Sequence, residues 1–373
     1  MRLATYNVEN LFDRPKAMNL GSWSEGKPTL EKFAQLNALL GEITYTPPRK
    51  RKMVELMIEL GLERSDTGPF VLLRRNRGKL LKRPRDPQAG ALEIIANGRA
   101  DWAGSLELID EPVDEEAMRN TARVINDVNA DVLAVIEAEN RPVLVDFSEE
   151  LLQAMGGTPY RHVMLIDGND ARGIDVGLMT RIGWPIGVMR SHVDDRLPNG
   201  TRIFSRDCPE FEVLLPDGRS LWVLVNHFKS KGYGGKAASD ARRKAQATQT
   251  RAIYERLVQS GEELVAVVGD LNDTPDSDPL SPLLAGTDLR DVSVHPSFED
   301  EGFPGTYGAS KAGNKIDYLL LSPALFDRVQ AGGAFRKGMW PGVRPAKWPV
   351  YAELTKAEHA ASDHAALWVD LAL

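Results

Sequence analysis

The sequence holds a single cysteine, Cys208, in 373 residues. A disulfide framework and a zinc site built on several thiolates are thereby excluded, and the lone thiol reads as a small half-buried apolar group. No stretch reaches the roughly 18 apolar residues of a membrane span. The chain opens Met-Arg-Leu-Ala-Thr-Tyr-Asn and passes straight into a strand, without the apolar stretch and cleavage site of a secretion signal, so a cytoplasmic location is expected. With a net charge of −7, a positive field covering the whole molecule is also missing, and any affinity for a polyanion has to be local. Disorder is not indicated, since 42% of the residues are hydrophobic and 27% charged.

What is present is a series of short β-branched and aliphatic runs: 3–6, 131–136, 162–166, 175–180, 211–215, 221–226, 264–268 and 318–321. Between them lie helical patterns, chiefly Glu116–Val128 and Ala237–Gln259. The class is α/β or α+β, with sheets covered by helices. One domain over 1–373 is expected, interrupted by an insertion at about 14–110 that has two helical candidates (Thr29–Ile43 and Arg49–Leu60) and hairpin-like segments near Phe70–Leu73 and Leu92–Leu108. Within it Arg74, Arg75, Arg77, Lys79, Lys82, Arg83 and Arg85 run without an acid until Asp86. Such a run is either a solvated surface or a clamp for a polyanion.

Four segments place polar groups at strand ends. Thr5-Tyr6-Asn7-Val8-Glu9-Asn10 ends a strand in two amides and a carboxylate, although an Asn there is equally a turn former. Asp131–Asn140 ends in Glu137 and Glu139, and a carboxylate held on a rigid strand suits a hard cation such as Mg²⁺. In Gly269-Asp270-Leu271-Asn272-Asp273-Thr274-Pro275 the two-residue spacing can aim Asp270 and Asn272 the same way, an acid and an amide able to orient water and hold a phosphoryl oxygen. Ser362-Asp363-His364 sets an imidazole beside a carboxylate, which raises its basicity. Asn226-His227-Phe228-Lys229-Ser230-Lys231 and Lys315-Ile316-Asp317-Tyr318 supply the further imidazole, cations and acid that cleavage of a phosphate ester requires.

Together and in this order, the motifs resemble the endonuclease/exonuclease/phosphatase superfamily, from Leu3 to Leu367 with the insertion as interruption. The resemblance implies a four-layer α/β sandwich, two packed β-sheets flanked by helices. It also implies Asn7 as metal ligand or phosphate contact, Glu9 as an outer metal ligand, and Glu137 as the metal-binding acid. Ile136 stands where the family usually has glutamine. Asp270 would activate water, Asn272 and His227 would contact the phosphate, Asp317 would orient a histidine, and Asp363 would support the metal beside His364 as general acid/base. Arg172, Asp175, Lys229 and Lys231 lie in matching segments, and Asn226, Arg172, Lys229 and Lys231 are taken as phosphate or substrate contacts.

The expectation is therefore a Mg²⁺- or Mn²⁺-dependent hydrolase of phosphodiester bonds in nucleic acid, a monomer with no membrane partner. A phosphomonoesterase or phosphodiesterase acting on a small-molecule, inositol-phosphate or lipid headgroup substrate stays open, because one fold carries many chemistries.

Overall fold

The computed structural model describes residues 1–9, 11–20, 23–84, 91–170, 172–231, 235–342 and 347–373. Asn10 and Arg85 of the sequence motifs lie outside these described residues. Contacts divide the chain into two compact units, one joining Met1–Phe12, Val113–Lys231 and Gly235–Leu373, the other Asp13–Pro112.

The first unit is the expected four-layer sandwich. A seven-stranded sheet runs in the order Phe298–Glu299, Val329–Phe335, Ala366–Leu371, Arg2–Asn7, Val132–Ala138, Asp175–Thr180, His162–Leu165. A six-stranded sheet runs Ile186–Arg190, Glu210–Leu214, Ser220–His227, Val265–Asp270, Asp317–Leu321, Arg290–Asp291. Successive strand residues face opposite sides. Val132, Ala134 and Ile136 of one sheet accordingly meet Val223, Val225, Ala266, Val268 and Leu319 of the other in a shared core. Leu133 and Val135 turn outward onto Val124, Ile125 and Val128 of the helix Glu115–Val128. That helix starts at Asp114, whose carboxylate accepts the Glu116 N–H at 2.9 Å, and ends where Asn129 turns left-handed.

The outer face of the six-stranded sheet is covered by the helix Lys236–Gln259, through Ala247, Ile253, Tyr254 and Leu257. Its buried stripe also contains Arg243, Gln246 and Thr250. These polar members anchor the segment after His227: Gln246 accepts the Lys229 N–H at 2.8 Å and Arg243 donates to the Lys229 carbonyl at 2.9 Å.

In the second unit the helices Trp23–Leu40 and Pro47–Glu59 share a core with the paired strands Val71–Gly78 and Trp102–Leu108. Val71 and Leu73 point inward, and from Arg74 onward the strand is exposed. Arg74 pairs with Glu107, while Arg75 and Arg83 share Asp66. Arg77, Lys79 and Lys82 are exposed and join no ion pair among the described residues.

Candidate active site

Strand pairing brings the motif residues together at one end of the sandwich. In the seven-stranded sheet Asn7 lies opposite Ile136, next to Glu137. In the six-stranded sheet His227 lies opposite Asp270, and Asp270 opposite Asp317. Simple alternation would turn Glu137 away from the inner face that carries Ile136. The ladder slips at this point, with Asp175 opposite Ala138 and Val176 opposite Ile136, so Glu137 is the extra residue of a bulge with φ of 65°. Its carboxylate thereby comes within 3.4 Å of His227 Nε2. Glu9 and Asn272 also have positive φ, at 51° and 54°, which puts at this site three of the six such non-glycine residues among those described. Left-handed backbone away from glycine is costly and tends to collect at functional positions. Gly269 is required: its φ is 124°, and a Cβ there would lie 2.0 Å from the Asn226 carbonyl oxygen.

Asp270 is the hub. Its Oδ1 accepts the Asn272 N–H at 2.8 Å, and Oδ2 accepts the Asn272 side-chain amide at 2.9 Å and the Asn7 amide at 3.4 Å. His227 Nε2 stands 3.6 Å away. His364 presents Nδ1 to the Asp317 carboxylate at 2.9 Å and Nε2 toward the Asn7 amide at 3.5 Å. Asn7 Oδ1 in turn accepts the Glu9 N–H, and Glu9 accepts the Asp363 N–H at 3.2 Å.

The two histidines are driven in opposite directions. Burial opposes charge on both rings. At His364 the charge and hydrogen bond of Asp317, then Asp363 and Asp270, outweigh it and hold the proton affinity well above the ordinary value. At His227 burial is joined by the cations Arg206, Arg172 and Lys229, with His364 adding to them, and the ring is pushed well below it. Burial, then Asp317, raises Asp270 far above the usual carboxylate range, with Glu137 adding and His364 opposing. Burial, then Arg206 and Arg172, lowers Lys229 to about 8.

Two expected contacts are not gathered here. Asn226 faces the other side of its strand from His227, where its amide donates to the Leu224 carbonyl and accepts from Thr250. Lys231 is half-exposed and ion-paired to Asp273. Arg172 is held by Asp170, with Nη2 at 2.8 Å. Sequence reading misses Arg206, which is buried against Asp170, and Tyr307, whose ring lies 4.9 Å from that of His364. Neither lies at an end of an apolar strand run, the position of most of the others.

Asp270, Asp317 and His364 offer ligand atoms within 4.8 Å of one another. Within this trio Asp317 occupies Nδ1 of His364, while Asp270 is held by both nitrogens of Asn272. Glu9, which accepts the Asp363 N–H, and Glu137, 3.4 Å from His227, bring further carboxylates to this end of the fold, and oxygen donors of this kind are what a hard divalent ion takes.

Comparison with known proteins agrees with this architecture. The model of the endonuclease/exonuclease/phosphatase family matches residues 77–330, more than half of the chain. The chain belongs to that family, hydrolases acting on phosphoester bonds that are generally dependent on a divalent metal. The matched interval contains Glu137, His227, Asp270, Asn272 and Asp317, while the fold adds Asn7 and His364 from outside it.

Among solved structures, a mannosyl-6-phosphatase of Bacteroides thetaiotaomicron is 17% identical with a TM-score of 0.50, over 69% of this chain and 92% of that one, a likeness of fold. The human Nocturnin catalytic domain with bound sulfate is 16% identical with a TM-score of 0.47, over 70% and 87%. Truncated Caenorhabditis elegans TDP2 is 15% identical with a TM-score of 0.46, over 68% and 89%. No protein of curated function matches the sequence. No helix among the described residues is long and apolar enough to cross a membrane.

Proposed function

We propose that the chain hydrolyses phosphodiester bonds of nucleic acid with the help of Mg²⁺ or Mn²⁺. The observation that carries this reading is the set of groups gathered on Asp270: the Asn272 and Asn7 amides, His227 at 3.6 Å, and the Asp317–His364 pair. Glu137, with Asn7, Glu9 and Asp363, would hold the ion, which supplies positive charge to the phosphate oxygens. Asp270, fixed by both nitrogens of Asn272, accepts a proton from the attacking water. His364, kept charged and oriented by Asp317, gives a proton to the leaving oxygen. His227 remains neutral and donates one hydrogen bond to a phosphoryl oxygen, while Asn7, Asn272, Arg172 and Lys229 surround the developing charge. Asn226 and Lys231 have no part in this scheme, since their polar atoms are engaged elsewhere.

Exposed Arg77, Lys79 and Lys82 favour a polymeric substrate. Pairing of Arg74, Arg75 and Arg83 with Glu107 and Asp66 favours the second reading, a small phosphoester such as a sugar phosphate. The test is a substrate panel: single- and double-stranded DNA, RNA, bis(4-nitrophenyl) phosphate and 4-nitrophenyl phosphate, each with Mg²⁺, with Mn²⁺ and with excess chelator. Cleavage of nucleic acid and the diester, lost on chelation, is expected. Activity confined to the monoester sinks the diesterase reading, and full activity in chelator sinks the metal.

A further inference from the structure

A guanidinium withdrawn from water persists only where its charge and its donors are met. Arg206 is 2% exposed. Its Nε lies 2.8 Å from Asp170 Oδ2, in a geometry that makes this an ion pair without a hydrogen bond, and its Nη1 donates to the Phe228 carbonyl at 3.1 Å.

Both partners lead into the site. Asp170 is the carboxylate that grips Arg172, accepting Nε at 3.1 Å, Nη2 at 2.8 Å and the backbone N–H at 3.0 Å. The Phe228 carbonyl also receives the Asn272 side-chain amide at 3.2 Å, and the Phe228 N–H bonds to the Asp270 carbonyl at 2.9 Å. Backbone has closed in around Arg206 as well. The Asn169 N–H donates to its carbonyl at 3.1 Å, and a Cβ on Gly168 would lie 2.9 Å from its carbonyl carbon.

We infer that Arg206 is a positioning residue that couples two parts of the site, setting Arg172 through Asp170 and Asn272 through the Phe228 carbonyl. A planar fork reaches both partners in fixed directions at once, and a lysine, with one ammonium on a flexible stem, does not. The kinetic consequence rests on the phosphoesterase reading, whereas the geometry does not.

The experiment uses the full chain and three variants, Arg206→Lys, Asn272→Ala and the double substitution. Turnover of bis(4-nitrophenyl) phosphate is measured with Mn²⁺. Arg206→Lys is expected to lower kcat by about 10- to 100-fold with little change in KM, the scale for misplacing a catalytic group. The double variant is expected to be slower than Asn272→Ala by clearly less than the Arg206→Lys factor, because with Asn272 gone only the arm through Asp170 and Arg172 remains to be lost. Losses that simply multiply, or a rise in KM at constant kcat, would overturn the inference. Should Arg206→Lys fail to fold, Arg206→Gln, which keeps one donor toward Phe228, serves the same cycle.

A second readout is independent of turnover: the side-chain amide resonance of Asn272, assigned by its loss in Asn272→Ala. It is expected to move toward the solvent-averaged position in the Arg206 variant. If the wild-type protein cleaves no phosphoester and the resonance moves, the phosphoesterase reading fails and the positioning role stands. An unmoved resonance ends the positioning role whether or not the protein is active.

Discussion

The two units treat charge in opposite ways. Asp13–Pro112 carries 17 Lys and Arg against 14 Asp and Glu, a net +3 in a chain of −7, so the remainder carries −10. The smaller unit displays its charge: the Arg75–Asp66 pair leaves both side chains about one-third exposed. The larger unit buries it, with Asp270, Asp317, His227 and His364 all nearly inaccessible. Exposed charges exchange partners with water and salt, and such pairs are worth roughly 0.2–1 kcal/mol. A buried charge has fixed partners, and its proton affinity is set by them. On the proposed reading, the chemistry would fall to the unit that hides its charge and long-range attraction of an anion to the one that shows it.

The largest effect should come from breaking the buried set. Asp270→Asn and His364→Ala are each expected to cut turnover by at least about 10²-fold, the scale of acid–base catalysis. Asn fits the shape of Asp270 and removes its repulsion with Asp317 but sets its new NH2 against an amide donor, so the melt of that variant should move little. His364→Ala strips Asp317 of its partner and should melt lower. Near-native turnover in either variant would remove that residue from the mechanism.

Next in size is a change that leaves every catalytic group in place. Gly269→Ala sets a methyl 2.0 Å from the Asn226 carbonyl in a backbone that alanine avoids. A loss of about 3–5 kcal/mol in urea unfolding is expected, the range of the most damaging single substitutions. A variant within about 1 kcal/mol of wild type would mean that the two strands can part there without harm.

These residues also mark how far the sequence can be read. Asn7, Glu137, Asp270 and Asn272 are visible because an apolar strand that ends in polar groups leaves a trace in one dimension, and His364 because it stands beside Asp363 just ahead of such a strand. The sandwich follows from the family resemblance, with alternating strands consistent with it. The aim of Glu137 is not visible, because the bulge depends on the register against Asp175 and Val176. Asn226 draws notice by standing beside His227, but neighbours on a strand face opposite ways. Arg206 is silent because its importance comes from the carbonyl of Phe228 and the carboxylate of Asp170, 22 and 36 residues away. In the Lys236–Gln259 helix the apolar pattern is legible, and the burial of Arg243, Gln246 and Thr250 is not.

Smaller effects are expected from the displayed charge. Replacing Arg74, Arg75, Arg77 and Lys79 with Ser should raise KM for a long nucleic acid several-fold and flatten its salt dependence, by about one in log–log slope for each phosphate no longer neutralised. Bis(4-nitrophenyl) phosphate should be cleaved as before. The same contrast can be drawn by treating 13–112 as a removable insertion. Val113 N–H bonds to the Phe12 carbonyl at 2.8 Å, so a short glycine–serine linker can join the two ends. The excised protein is expected to fold and to keep its activity on the small diester. Equal losses on both substrates would show that the basic strand is ordinary surface.

The smallest effect sets a half-buried histidine outside the site against an exposed pair. His192 lies between Asp195, at 2.9 Å from Nδ1, and Glu210, at 2.7 Å from Nε2. Burial opposes its charge, but the hydrogen bonds to Glu210 and Asp195 outweigh it and raise its proton affinity above the ordinary imidazole value. A base whose affinity rises on folding stabilises the fold fully below the unfolded pKa of about 6.5, and that contribution fades as pH climbs through the higher folded value. Glu210 keeps Arg190 and Arg256 as partners when the ring is replaced, so His192→Gln should fold. The gap in melting temperature between wild type and His192→Gln is expected to be widest below about pH 6.5 and to close on the alkaline side. For the exposed Arg75–Asp66 pair, Arg75→Gln should shift the melt little at any pH in that range and less still in high salt, since the pair is screened by solvent. A constant gap for His192→Gln, or a gap that widens with pH, would contradict the reading that buried partners, and not the mere presence of carboxylates, decide where a charge in this protein resides.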